Sequence, residues 1–88
     1  MKLDKERKKA MKKQDIREQI GAEIKRRRKE KRLTQEQLSE LTGIGRTAIA
    51  KYERGNIELG ISHFSIICSA LGCDPVEFFR GLESWTTP

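Results

Sequence analysis

The sequence predicts an all-α fold, a compact set of five short helices preceded by a basic N-terminal arm. Three observations lead to this class. Apolar residues recur at helical spacing, capping residues and glycines bound the apolar segments, and no segment carries a strand signal. With 88 residues, 35% of them hydrophobic, the chain has room for one domain with a modest core.

The first helix is predicted from Ile16, Ile20 and Ile24, which follow one another at four-residue spacing and form one apolar face. Asp15 is the candidate cap, and the helix runs to about residue 31. Gly21 costs up to about 1 kcal/mol inside a helix, so the helix could also begin near Ile20.

A capping box predicts the second helix over residues 35–42. The Thr34 side chain can accept from the backbone of Gln37, and the Gln37 side chain can return the bond. Gly43 then supplies a left-handed residue without a Cβ penalty, and Ile44 fills the corner of the turn.

The third and fourth helices are each followed by glycine, which commonly ends a helix. The third covers residues 46–54 and stops at Gly55, and the fourth covers residues 62–71 and stops at Gly72. The fourth is nearly all apolar or small, so we expect it to lie at the centre of the core.

A cap, a proline and a glutamate in Asp74-Pro75-Val76-Glu77 predict the start of the fifth helix. Adjacent helical residues cannot both face the same core. One of Phe78 and Phe79 is therefore expected on the fourth helix, and the other, with Leu82 and Trp85, faces a second copy of the chain. These four residues are the predicted homodimer interface.

Positive charge is concentrated at the N-terminal end. Residues 1–32 hold fifteen Lys and Arg against six Asp and Glu, a net of +9, whereas residues 33–88 hold four against seven, a net of −3. The predicted organisation is a basic arm at 1–15, helical or disordered, a helical domain at 16–83 and a tail at 84–88. The total of +6 indicates a polyanionic partner.

Several function classes are not expected. Cys68 and Cys73 lie five residues apart and His63 is the single histidine, so two reduced thiols are expected and no metal or cofactor. No catalytic constellation or phosphate-cradling glycine loop is present, which argues against an enzyme with a small-molecule substrate. Without a long apolar segment or an inserting face, the chain is expected in the cytoplasm, away from membranes.

Four motifs carry a family resemblance: Arg28-Lys29-Glu30-Lys31, Leu33-Thr34-Gln35, Tyr52-Glu53-Arg54-Gly55 and Ala70-Leu71-Gly72. In this order and spacing, they resemble the Cro/CI-type, phage-repressor-like helix-turn-helix regulators over about residues 20–79. The resemblance implies a lambda-repressor-like domain whose third helix places its N-terminal end in the major groove of DNA.

The resemblance also implies which residues contact double-stranded DNA. Base contacts are expected from Arg46, Thr47 and Lys51, whose chemistry suits guanine or a hydroxyl or methyl partner. Phosphate contact alone is the alternative for Arg46 and Lys51. Gln35 is expected to touch phosphate and support the first base-contacting residue. The resemblance also implies phosphate contacts at Arg54, Gly55 and Asn56. Because Glu58 weakens that contact, further phosphate contacts are expected from the basic residues Arg26, Arg27 and Lys29.

A buried ion pair between Arg28 and Glu53 is likewise implied, since Arg28 lies eight residues after Ile20 on nearly the same helix face. The alternative is that residues 26–29 form one solvated basic face. The chain departs from the family at Gly45, which lacks a capping side chain, and at Glu58, which weakens a phosphate grip.

These observations predict a sequence-specific DNA-binding transcriptional regulator, in the first place a repressor, that binds a palindromic operator as a dimer. The alternatives are an antitoxin, which would also bind a toxin or other protein partner, and the controller of a restriction–modification system.

Overall fold

The computed structural model describes residues 13–82 and contains five helices and no strand within that range. The all-α class and the number of helices are confirmed. Most of the predicted arm and the predicted tail, including Trp85, lie outside the described residues. No described helix is long and apolar enough to cross a membrane. The helices are α1 (Lys13–Glu30), α2 (Gln35–Thr42), α3 (Arg46–Arg54), α4 (Ile61–Leu71) and α5 (Pro75–Arg80).

Helix α1 is continuous through Gly21, and Asp15 lies in its first turn rather than at its cap. Both expectations for its start were therefore wrong. Gly21 is present for packing, because α3 crosses α1 at this point. A Cβ on Gly21 would overlap the carbonyl oxygen of Tyr52 and lie 2.6 Å from that of Glu53. Only glycine lets the two backbones approach this closely.

All five helices contribute to the core, α2 through the fully buried Leu38, and α4 contributes only one face to it. Ile61 is 80% exposed and Ile66 41% exposed. The expected central place of α4 in the core is confirmed by its buried residues Phe64, Ile67, Cys68 and Leu71, whereas its outer face is exposed. The buried apolar residues are Ile24, Leu38, Ile44, Ile49, Tyr52, Phe64, Ile67, Cys68, Leu71, Phe78 and Leu82.

Helix α5 begins as predicted, with Asp74 and Glu77 forming a capping box. The predicted use of its side chains needs correction, because Phe78 is fully buried and Leu82 is 3% exposed within the single chain. Phe79 is half-buried, with its ring centroid 5.4 Å from that of Phe64. Leu82 therefore fills the chain's own core and does not face a second copy.

Candidate nucleic-acid interface

The turn between α2 and α3 is held by hydrogen bonds from small polar side chains. Gly43 is left-handed at φ 74°, as predicted, and its amide donates to the Ser39 carbonyl at 2.8 Å. The Ser39 hydroxyl donates to the Ile44 carbonyl at 2.6 Å. The Thr42 hydroxyl donates to the Leu38 carbonyl at 2.8 Å and accepts from the Ile44 amide at 3.1 Å. These bonds fix the angle at which α3 leaves α2.

Helix α3 turns one face inward and leaves its leading end exposed. Ile49 and Tyr52 are buried, whereas Arg46, Thr47 and Lys51 are exposed. No side-chain hydrogen bond or ion pair joins these three residues to the part of the chain that the structure describes. They are therefore available to a partner, as the predicted base contacts require.

The predicted ion pair between Arg28 and Glu53 is present and buried. Arg28 Nε donates to Glu53 Oε2 at 2.6 Å and Nη2 to Oε1 at 3.0 Å, with the side chains 8% and 3% exposed. Arg28 Nη1 donates to the Leu33 carbonyl at 2.7 Å. This is the two-point geometry of a strong Arg–carboxylate pair, and it joins α1 to the end of α3.

The Gln35 side chain contacts the Arg28–Glu53 ion pair. Its Nε2 donates to Glu53 Oε1 at 3.0 Å. The side chain thereby connects the first residue of α2 to the end of α3, while remaining partly open to solvent. A phosphate at Gln35 would have to share its amide with Glu53 or displace this bond.

Backbone amides after α3 are already used within the chain. The Gly55 amide donates to the Tyr52 carbonyl and the Asn56 amide to the Lys51 carbonyl, each at 3.0 Å. Gly55 is left-handed and buried, and a Cβ there would lie 2.8 Å from the Glu18 backbone. These two amides therefore cap α3, and the predicted phosphate contact at Gly55 and Asn56 stays a prediction. The Arg54 and Asn56 side chains are exposed.

Arg26 and Arg27 form ion pairs within α1, and Arg27 also binds α1 to α5. The buried Glu23 carboxylate accepts from Arg26 Nη2 at 2.6 Å and from Arg27 Nε at 2.7 Å. Arg27 also donates to the Glu77 carbonyl at 3.1 Å. Burial alone raises the pKa of Glu23, but the hydrogen bonds and charges of the two arginines outweigh it and lower that pKa. Both guanidinium groups therefore have structural partners in the single chain, and their contact with phosphate stays a prediction.

Lys29, the third basic residue of α1 that was predicted to contact phosphate, differs from Arg26 and Arg27. It is exposed and has no side-chain partner among the described residues. Glu58, which was expected to weaken a phosphate grip, lies 3.4 Å from Arg17. Its charge is thereby partly compensated inside the chain.

The sequence analysis missed the roles of Ser39, Thr42 and Gln14. Gln14 Nε2 donates to the Gly55 carbonyl at 3.1 Å, which ties the first turn of α1 to the end of α3. A serine or threonine in the last turn before a glycine is a recognisable local hydrogen-bonding signal and could have indicated Ser39 and Thr42. The 41-residue separation of Gln14 from Gly55 leaves no local signal.

Two short helices joined by a glycine turn, with an exposed polar leading end on the second, define a helix-turn-helix DNA-binding regulator. The family model described as helix-turn-helix matches residues 24–78, well over half of the chain. The chain belongs to that family.

Solved structures of regulators share the fold. The clp gene regulator ClgR from C. glutamicum is 26% identical, with a TM-score of 0.70, over 73% of this chain and 82% of that one. The restriction-modification controller protein C.AhdI from Aeromonas hydrophila is 29% identical, with a TM-score of 0.68, over 70% and 94%. The controller C.Esp1396I, solved as a tetramer with its natural 35 base-pair operator, is 34% identical, with a TM-score of 0.69, over 74% and 86%. No curated protein sequence matches the chain.

Proposed function

We propose that this regulator recognises a specific operator through the exposed leading end of α3. The observation that carries the proposal is that Arg46, Thr47 and Lys51 are exposed and unpaired among the described residues, on a helix anchored by the buried Arg28–Glu53 pair. Arginine can donate to both acceptors of guanine, lysine to one, and threonine offers a hydroxyl or methyl contact. Regulation is then non-covalent and follows from occupancy of the operator.

Phosphate contacts are assigned to four side chains that stay accessible around this surface. Gln35 lies at the start of α2, Arg54 and Asn56 follow the base-contacting residues, and Lys29 lies near the end of α1. Arg26 and Arg27 are left out because Glu23 already binds both guanidinium groups. Phosphate contacts position the protein and make its affinity depend on salt.

We assign the contact with a second copy of the chain to the outer face of α4. Residues 59–73 contain no Asp, Glu, Lys or Arg, although 36% of the chain is charged. Ser62, Ser65, Ile66 and Ser69 recur at helical spacing on the exposed face of this stretch. Two copies of a chain with net charge +6 repel each other, and this uncharged face lets them approach with the least repulsion. A symmetric dimer would then meet two half-sites about 34 Å apart.

Selection of binding sites from random DNA, followed by titration of the full chain, tests the base contacts. Arg46→Ala or Lys51→Ala should lose about 1–3 kcal/mol on the selected site and relax the preference at one position. Arg54→Ala should weaken binding to all DNA sequences alike. It should also reduce the slope of log affinity against log salt concentration by about one in magnitude. Arg80→Ala, an exposed arginine on α5, is the control. Unchanged affinity and preference in both α3 variants would refute the assignment.

Sedimentation at micromolar concentration tests the proposed dimer face. Ile66→Arg should shift the protein toward monomer because it places two like charges across a symmetric interface. Leu41→Arg, a matched change of an exposed apolar residue on α2, should leave the association state unchanged. A wild-type protein that stays monomeric both with and without operator DNA would rule the dimer out.

Control of a restriction–modification system is the second candidate function. It is favoured by the similarity to two controller proteins, one of them 34% identical and seen on its operator. Genes for a nuclease and a methyltransferase beside this one, with a selected site in their shared upstream DNA, would support it. The antitoxin alternative stays a prediction, tested by co-purification of a second chain.

A further inference from the structure

The end of α1 adopts a backbone conformation that its residue type disfavours. Arg32, the second residue after α1, is left-handed at φ 60°. In the part of the chain that the structure describes, every other residue with a positive φ is glycine. The Cβ of an arginine crowds the backbone in this region, so Arg32 is strained.

Two other helices end in the same geometry, and both use glycine. The Arg32 amide donates to the carbonyl three residues before it at 2.9 Å, and the next amide donates to the carbonyl five residues before it at 3.1 Å. The same pair of hydrogen bonds surrounds Gly55 after α3 and Gly72 after α4. Glycine takes this left-handed position without a Cβ penalty. The backbone at position 32 would therefore be more stable with glycine.

The Arg32 side chain does not offset this strain within the described chain. It is exposed, and no hydrogen bond or ion pair joins it to another described residue. A cation near the C-terminal end of a helix stabilises the helix, but the last turn of α1 already carries three basic residues of its own. The neighbouring Lys31 differs, because its Nζ would lie 3.1 Å from a Cβ on Gly72, against the end of α4. Contacts within the described chain therefore do not explain an arginine at position 32.

The surroundings of Arg32 favour a DNA phosphate as its partner. Lys29 lies one turn before it and Gln35 three residues after it, and both are assigned to phosphate in the proposed function. The carbonyl of the next residue accepts from Arg28 at 2.7 Å, and Arg28 binds Glu53. Arg32 is therefore attached to the same ion pair that anchors α3. A guanidinium group suits a phosphate because two of its N–H groups can donate to two phosphate oxygens.

We propose that Arg32 binds a phosphate of the operator beside those contacted by Lys29 and Gln35. The proposal rests on the proposed DNA binding and adds to it a contact from outside α2 and α3. The fold accepts a strained residue at the end of α1, and DNA binding gains a positively charged group. Fold stability and DNA affinity therefore favour different residues at position 32.

Replacement of Arg32 in the full chain tests these opposite preferences. Arg32→Gly should raise the melting temperature by about 2–6 °C and weaken binding to the selected operator about five- to tenfold at 0.1 M salt. The slope of log affinity against log salt concentration should fall by about 0.9 in magnitude, as expected for one lost phosphate contact. Arg32→Lys keeps the charge and should keep the salt slope, whereas Arg32→Ala should weaken binding without raising the melting temperature.

Lys31→Ala is the matched control, because it removes the same charge from the adjacent position. It should change operator affinity by no more than about twofold, since Lys31 makes no phosphate contact. Failure of the proposed function is measured separately, as the absence of a selected site or as an unchanged site preference in Arg46→Ala.

Three results would overturn the proposal. The first is an Arg32→Gly variant that binds the operator as tightly as the wild-type chain. The second is an equal loss of affinity in Lys31→Ala, which would show that only net charge matters. The third is a lower melting temperature of Arg32→Gly, which would show that the arginine itself stabilises this helix end.

Discussion

The Arg28 guanidinium and the Glu53 carboxylate meet in two hydrogen bonds, of 2.6 and 3.0 Å, across the crossing of α1 and α3. Glu53 also accepts from Gln35, so one carboxylate holds together the end of α1, the start of α2 and the end of α3. The exposed face of α3 is positioned by this pair.

Removing one member of the pair should strand the other charge in the core. Arg28→Met or Glu53→Gln alone is expected to lower the free energy of unfolding by about 3–5 kcal/mol, measured by urea denaturation. Replacing both residues by apolar ones should cost less than either single change. Lys29→Met, at the exposed neighbour, is the control, and single variants as stable as this control would contradict the prediction.

Gly21→Ala should destabilise the packing of α1 against α3 and so lower the free energy of unfolding. The added methyl would overlap the Tyr52 carbonyl oxygen, and overpacking of this kind costs about 1–3 kcal/mol even though alanine favours the helix by about 1 kcal/mol. Ala22→Gly, at the exposed next position, measures the helix-propensity effect alone. A Gly21→Ala variant that is more stable than wild type in thermal melts would show that α3 can move aside at no cost.

Acid should weaken the attachment of α1 to α5 through Glu23. Its pKa is lowered in the folded chain from an ordinary value of 4.5, so the contribution is complete above about pH 4.5 and is lost as the pH falls through the folded pKa. Glu23→Gln should lower stability by about 1.5–3 kcal/mol at pH 7 and flatten the decline of stability below pH 4.5.

The control for this pH profile is Glu36→Gln, because Glu36 is exposed and makes no side-chain contact among the described residues. It should follow the wild-type profile. If Glu23→Gln and Glu36→Gln gave the same unfolding curve from pH 7 to pH 2, Glu23 would have no special role in acid stability.

The two cysteines should differ in reactivity. Burial, together with the smaller effect of the nearby Cys73 thiol, raises the pKa of the Cys68 thiol to about 12. Because the thiolate is the reactive form, iodoacetamide at pH 8 should modify the half-buried Cys73 at least tenfold faster than Cys68. Peptide mass spectrometry measures both rates, denaturant should make them similar, and equal rates in the native chain would contradict the burial argument.

Local patterns in the sequence identified most of what the helix-turn-helix unit needs. The capping box at Thr34 and Gln37, the left-handed Gly43 and the buried Ile44 were all predicted, and all are present. Each depends on residues within four positions of one another, so short-range geometry is sufficient to predict them.

Side-chain roles that depend on contacts between residues far apart in the chain were harder to predict from the sequence. Arg26, Arg27 and Lys29 are all basic and lie within four positions of α1. Arg26 and Arg27 nevertheless bind Glu23, whereas Lys29 faces solvent. Leu82 continues the apolar pattern of α5 but fills the core because the chain ends its helix at Arg80 and turns back toward α1.

The sequence by itself determined the number of helices, the capping boxes of α2 and α5 and the family of DNA-binding regulators, because helix periodicity and turn chemistry are local. Only the tertiary structure decided which basic side chains have no partner among the described residues and which face of α4 is exposed. These outcomes depend on how α1 crosses α3 and α5, and burial and charge pairing at such crossings involve residues from distant parts of the chain.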